Sequence, residues 1–309
     1  MSDSLMYPSD DASELRLLRP GTGPLTMAQD FWELIKPEIT FQVVLAALAG
    51  FILGSTVDFE PLLLALTLSG TALSSAGGAV LNHYFERHND ALMRRTAQRP
   101  LPSGRIRPNV ALAFGIVLMS GGLFLLWWVN LITLILAALT ILLYLFAYTP
   151  LKRRTTYNTL IGTIPGALPA LGGYTAVTGM VGLGGWILFG VFALWQIPHF
   201  LALAWMYRKD YARGGHAMLP TRNPEASATS HRILTYSILM GLVSVLPWFL
   251  GYTGWLYLGV IIPAGLGFIW PAFGFCQKQT STQARRVLLT SIAYVPVLVI
   301  ALIVDRLIA

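Results

Sequence analysis

An all-α, polytopic membrane fold of nine transmembrane helices follows from three observations. Hydrophobic residues make up 55% of the 309-residue chain and charged residues only 11%, less than half the roughly 25% of an ordinary soluble domain. The apolar residues gather into nine stretches, each near the roughly 20 residues a helix needs to cross the hydrocarbon core. The 21 Lys and Arg residues then fall almost wholly on one side of that nine-span arrangement, as orientation by basic loops requires. Together these exclude a disordered chain, a coiled coil and a soluble globule. The single cysteine, Cys276, excludes an internal disulfide and makes a cysteine metal cluster implausible. The net charge of +7 is read as a loop-placement signal, and no nucleic-acid partner is expected.

The elements follow in order. Residues 1–36 are polar and mixed, without the basic, apolar and cleavage segments of a signal peptide; they are expected to be a partly disordered cytoplasmic tail. Residues 37–309 form a single transmembrane domain, with spans near 38–57, 61–84, 109–129, 131–149, 158–178, 185–206, 234–252, 254–275 and 287–308. The fifth carries two prolines and several glycines and reads as irregular or broken, tolerable only where neighbours or a cavity satisfy its backbone. With nine spans, the tail and the loops after spans 2, 4, 6 and 8 share one face, which holds every Lys and Arg except Arg306. The opposite loops are very short, so a site is expected on the basic face or within the bundle.

Three constellations on that face could carry chemistry. At the end of span 2, Asn82, Glu86 and Asp90 are spaced four residues apart, so a helix presents all three on one side. Three oxygen-bearing side chains in a row suit Mg2+, which takes few carboxylates and completes its shell from water and phosphate. Arg94, Arg95 and Arg99 follow at once, and carboxylates facing arginines match a metal-diphosphate. An ordinary polar helix end at the interface is the competing reading. After span 4, Tyr148 precedes the basic run Lys152, Arg153, Arg154, which alone could be a membrane anchor. In span 6, Pro198 should kink the helix. His199, an ionisable group inside a span, is either functional or a hydrogen-bonded core histidine. Asp210 beyond it could add a carboxylate to a second metal position. No Walker A loop, GxGxxG, GxSxG or HExxH motif is present.

At these residues the chain resembles the UbiA-type superfamily of intramembrane prenyltransferases, and within it the branch that farnesylates heme. Asn82, Glu86 and Asp90 match the first superfamily motif, with Glu86 in place of the more usual Asp. Tyr148, Lys152 and Thr155 match a Tyr-x3-Lys-x2-Thr motif. The heme branch is matched by the runs around Met93, Arg95, Thr96, Arg99 and Pro100, by Pro198-His199-Phe200, and by Gly215-x-x-Met218-Leu219-Pro220. The second acidic pair found in many members is reduced to the single Asp210.

The resemblance implies nine helices around a central cavity, Mg2+ as cofactor, and transfer of a farnesyl group from farnesyl diphosphate to a vinyl group of heme B. With addition of water the product would be heme O, for terminal oxidase assembly. It implies catalysis by Asn82, Glu86, Asp90 and Lys152, and metal binding by Asn82, Glu86, Asp90 and Asp210. Arg95, Arg99, Tyr148, Lys152 and Arg153 would bind the diphosphate, and His199, His83 and His88 are candidates to hold the heme. The implied partners are heme B, farnesyl diphosphate, the lipid bilayer, and a downstream heme-modifying enzyme or oxidase assembly factor. The membrane would be the plasma (inner) membrane of a bacterium, with the N-terminus and site loops in the cytoplasm. An aromatic quinone precursor as acceptor, or a non-catalytic transporter, are the alternatives.

Overall fold

The computed structural model describes residues 24–55, 60–223 and 226–308. Among them are nine helices long and apolar enough to cross a membrane, and no strand. We label the helices α1 (Pro24–Leu34), α2 (Pro37–Gly54), α3 (Pro61–Asp90), α4 (Pro108–Trp127), α5 (Leu131–Leu151), α6 (Asn158–Thr178), α7 (Leu183–Met206), α8 (Ala226–Phe249), α9 (Trp255–Gln277) and α10 (Ser281–Ile308). Helices α2 to α10 are the nine spans. Prolines stand at the first turn of α2, α3 and α4, where the missing N–H has no helical partner to lose.

The arrangement runs α3–α4–α5–α6 on one side and α7–α8–α9–α10 on the other, with α2 touching α3, α6 and α10. Helices α6 and α7 are the most buried of the nine, and α4 and α5 the least. Val117, Phe124 and Trp127 on α4 and Ile135 on α5 accordingly stand exposed, as a lipid-facing surface requires. Small residues set the closest approaches: a Cβ at Gly77 would collide with the α4 backbone at Met119, and one at Gly122 with the α3 backbone at Ser74. Close backbone contact is how helices associate where lipid removes a hydrophobic driving force.

Two expectations change. The fifth span, α6, is one continuous helix with Pro165 and Pro169 inside it, not a broken one; its position between α2, α5 and α7 encloses the proline turns. The expected disorder of residues 1–23 lies outside the described residues. The last part of the expected tail is the ordered helix α1: Leu34 is fully buried against Val80, Leu101, Ile106 and Ala111, with Phe31 edge-on to Phe114. Helix α1 thereby closes over the end of the bundle that carries the basic loops.

Candidate active site

The site is built on the last three turns of α3. This helix continues past the expected end at residue 84 to Asp90, so Asn82, Glu86 and Asp90 do share one helical face. All three are buried. Each is met by a cation from a different part of the chain. Lys36 donates from Nζ to Asn82 Oδ1 at 2.8 Å. Lys152 Nζ lies 3.0 Å from both carboxylate oxygens of Glu86. Arg99 Nη1 donates to Asp90 Oδ2 at 2.8 Å.

Local structure explains each approach. Arg99 reaches back because the loop after α3 folds on itself: Thr96, fully buried, donates through Oγ1 to the Asp90 carbonyl, and Arg99 N–H donates to the Thr96 carbonyl. Lys152 is placed by the end of α5, where residues 143–148 widen into a π-helical segment, a feature that often accompanies functional positions. Tyr144 and Tyr148 stack there at 5.9 Å, and the Lys152 ammonium sits 4.7 Å over the Tyr148 ring. Thr149 accepts from Asn82 Nδ2 at 3.1 Å, tying that segment to α3.

Lys36 was not foreseen as a site residue. It occupies the two-residue joint between α1 and α2 with a positive φ of 46°, a conformation that L side chains other than Asn and Asp seldom adopt. That turn aims the ammonium inward. Arg105 holds the joint from outside through Asp30 (2.8 Å) and Glu33 (3.5 Å) on α1.

The electrostatics favour an anion. Burial, then the charges of Arg99 and Lys152, bring the Lys36 pKa down to about 7. Burial alone would lower that of Lys152, but the Glu86 carboxylate outweighs it and holds the ammonium protonated, above the usual lysine range. Two cations, Lys152 and Arg99, therefore face two carboxylates in a desolvated setting, with Lys36 beside Asn82 ready to take on a full charge.

The other expected residues are distributed around this core. Asp210, in the short helix Arg208–Arg213, accepts from the Arg95 backbone N–H at 3.1 Å and from Arg213 at 3.2 Å, so it staples the loop after α3 to the segment after α7. The Arg95 guanidinium lies over Tyr207 and Tyr211, at 5.1 and 5.9 Å. Arg153 is exposed beside Gly215. The three histidines do not converge. His83 is buried with Nδ1 3.8 Å from Asp90 Oδ2. His88 is exposed. His199 shares a 2.8 Å hydrogen bond with Ser291 on α10 and lies against Trp195.

The donor set can be tested against Mg2+. Asn82, Glu86 and Asp90 offer hard oxygens only. Among the described residues no group of three or more His, Cys, Asp and Glu side chains forms a metal cluster. Two carboxylates and an amide fit an ion that draws its remaining ligands from water and phosphate.

A carboxylate row met by cations at one end of an intramembrane bundle suits a metal-bound diphosphate, and the comparisons give the class: membrane-embedded prenyltransferases. Residues 43–294 match the UbiA prenyltransferase family, and the chain belongs to it. It is 51% identical over 280 residues to the protoheme IX farnesyltransferase of Salinibacter ruber (strain DSM 13855 / M31), spanning 90% of this chain and 99% of that one. It is 40% identical over 288 residues to the protein of that name from Solibacter usitatus (strain Ellin6076), again 90% and 99%. The fold is shared with a digeranylgeranylglyceryl phosphate synthase (TM-score 0.74, 22% identity, 91% of this chain and 99% of that one). It is also shared with a UbiA homolog from Archaeoglobus fulgidus bound to GPP and Mg2+ (TM-score 0.65, 14% identity, 88% and 99%). The protein is an integral membrane prenyltransferase.

Proposed function

We propose that this chain transfers the farnesyl group of farnesyl diphosphate to a vinyl group of heme B, with addition of water, giving heme O. The observation that carries the reading is the meeting of Asn82, Glu86 and Asp90 with Lys36, Lys152 and Arg99 at one end of an apolar bundle. The named relatives, matched over nearly their whole length, supply the acceptor.

The diphosphate lies against the α3 row with its apolar chain among the helices. Arg99 and Lys152 turn from their carboxylates toward phosphate oxygens, and Lys36 gains a full charge as the anion arrives. Arg95, Arg153 and the Tyr148 hydroxyl complete the diphosphate's donors. Asn82, Glu86 and Asp90 would hold Mg2+, with Asp210 as a further oxygen once it exchanges its Arg213 contact. When bound, the metal supplies Lewis-acid stabilisation of the leaving diphosphate.

The side chains' own task is electrostatic. Cations already in place stabilise the charge that grows on the leaving group. The bundle keeps water from the allylic cation until the vinyl carbon attacks. The cation then generated beside the porphyrin takes up water and loses a proton, so the former vinyl group gains one farnesyl group and one hydroxyl while diphosphate departs. No strong general base is required. His199, His83 and His88 remain the heme-holding candidates, of which His199 is the one inside a span away from the α3 row. The basic end faces the cytoplasm of the membrane that houses the enzyme, and the product passes to a heme-modifying enzyme or an oxidase assembly factor.

The test uses membranes containing the protein, incubated with farnesyl diphosphate, Mg2+ and either heme B or an aromatic quinone precursor. Extracted products are then identified by mass spectrometry. A heme heavier by one farnesyl group and one hydroxyl, lost with EDTA, is the expected outcome. Prenylation of the aromatic acceptor alone would replace the acceptor, and substrate flux in proteoliposomes without chemical product would replace the reaction class.

A further inference from the structure

We propose that His216 is a substrate-binding residue, donating a ring N–H to an anionic oxygen of the substrate at the Lys152 side of the site; this rests on the prenyl-transfer reading above. His216 falls in the variable part of the Gly-x-x-Met-Leu-Pro run, where no motif marks it.

Its backbone is pinned on both sides. Gly215, with a φ of 70°, turns the chain out of the short helix Arg208–Arg213. The His216 N–H then donates to the Tyr211 carbonyl at 2.9 Å. The His216 carbonyl accepts from Thr221 Oγ1 at 2.9 Å. The next residue, Ala217, donates to the Lys152 carbonyl at 2.7 Å and accepts from Asn158 Nδ2 at 2.9 Å. The strap that carries the imidazole is therefore fixed to the backbone of Lys152, whose ammonium lies on the α3 row.

The residue is only 6% exposed, its ring is packed edge-on to Tyr211 at 5.5 Å, and neither Nδ1 nor Nε2 has a hydrogen-bond partner. A neutral imidazole offers one donor and one acceptor, and buried polar atoms are rarely left unsatisfied in native proteins. A leucine would fill this space without two unmade bonds, so packing does not explain the residue. The other buried histidine without a hydrogen bond, His83, has the Asp90 carboxylate 3.8 Å away. His216 has no such partner, yet both its chain neighbours lie at the charged end, Gly215 beside the Arg153 guanidinium and Ala217 on the Lys152 carbonyl. It sits in the charged end, beside cations placed to receive an anion. Burial and the Lys152 charge hold its pKa below the usual histidine value, so at neutral pH it donates as an uncharged ring. Two substrate groups share the required chemistry: the diphosphate of the donor and a propionate carboxylate of the heme. The tie to Lys152 favours the diphosphate.

The experiment measures binding to the detergent-solubilised full chain of two probes, a non-ionising farnesyl thiodiphosphate with Mg2+ and, separately, heme B. Wild type, His216→Leu and His216→Gln are compared, with thermal unfolding of each ligand-free protein. The expected result is that His216→Leu weakens thiodiphosphate binding by about tenfold, the loss of one hydrogen bond to a charged group. Heme B affinity and the ligand-free Tm should not fall, and His216→Gln, which keeps an N–H, should recover most of the loss. If the loss appears for heme B instead, the anionic oxygen is the propionate and the binding role stands. Unchanged affinity for both probes in His216→Leu overturns the assignment. So does a parallel loss of both affinities and of Tm in both variants, which marks a structural residue. A wild-type protein that binds neither probe overturns the prenyl-transfer reading itself.

Discussion

The two ends of the bundle each bury acidic side chains, and they solve the same problem differently. At the basic end, Glu86 and Asp90 are neutralised by Lys152 and Arg99, long side chains from separate segments. At the other end, Asp305 on α10 accepts from the backbone N–H groups of Gly254 (2.6 Å) and Tyr257 (3.0 Å), where it caps the start of α9. Its neighbour Arg306 donates to the Ser55 carbonyl at the end of α2. Backbone donors cannot be handed to a ligand without unravelling a helix end, whereas side-chain cations can turn from a carboxylate to a phosphate. One end is a structural clasp; the other, on the function proposed above, is a binding site held in reserve by its own counter-ions.

That contrast can be broken or sharpened by substitution. The largest effect is expected for Asp90→Asn: farnesyl transfer should fall by about 10^3-fold, the scale of removing a preorganised transition-state group, with unfolding little changed. Product formation by mass spectrometry, alongside a thermal melt, checks both halves. Next, Lys152→Met should lower kcat/KM by about 10^2-fold and also destabilise the protein, because it strands a buried carboxylate. Adding Glu86→Gln should restore most of the stability and none of the activity, a non-additivity a double-mutant cycle reads directly. At the opposite end the pattern reverses. Asp305→Ala removes two hydrogen bonds to backbone donors, one buried and one partly buried, and should cost about 2–3 kcal/mol of stability while kcat/KM stays within a factor of two. The smallest effect is expected for Arg105→Ala, which frees α1 from the loop at a partly exposed contact worth about 1 kcal/mol or less. It should raise the KM for the donor several-fold through a less constrained Lys36, leaving kcat nearly as it was.

The two ends also differ in how far the sequence disclosed them. Nine spans and a basic face were legible because apolar length and loop charge are properties of contiguous residues. Asn82, Glu86 and Asp90 were legible because a helix converts four-residue spacing into a shared face, and α3 stays helical to Asp90. Lys36 was not. It reads as one more flanking charge, and its role depends on a positive φ at the α1–α2 joint and on α1 docking through Leu34 and Arg105. His216 was hidden for a related reason: its burial arises from a strap folding onto Lys152 through Ala217, a contact between distant parts of the sequence that no local pattern encodes. The fifth span erred in the other direction. Its prolines suggested a break, but burial among three neighbours keeps α6 continuous. Asp305 carries no local signal either: its partners are backbone groups at the start of α9, brought to it only by the fold.

The most direct test of the central claim compares binding at the two ends. Labelled farnesyl thiodiphosphate is titrated against purified wild type, Asp90→Asn and Asp305→Ala, each with and without Mg2+. The account predicts Mg2+-dependent saturable binding by wild type and Asp305→Ala alike, and its loss in Asp90→Asn. Equal binding by Asp90→Asn and wild type, or a loss confined to Asp305→Ala, would contradict it.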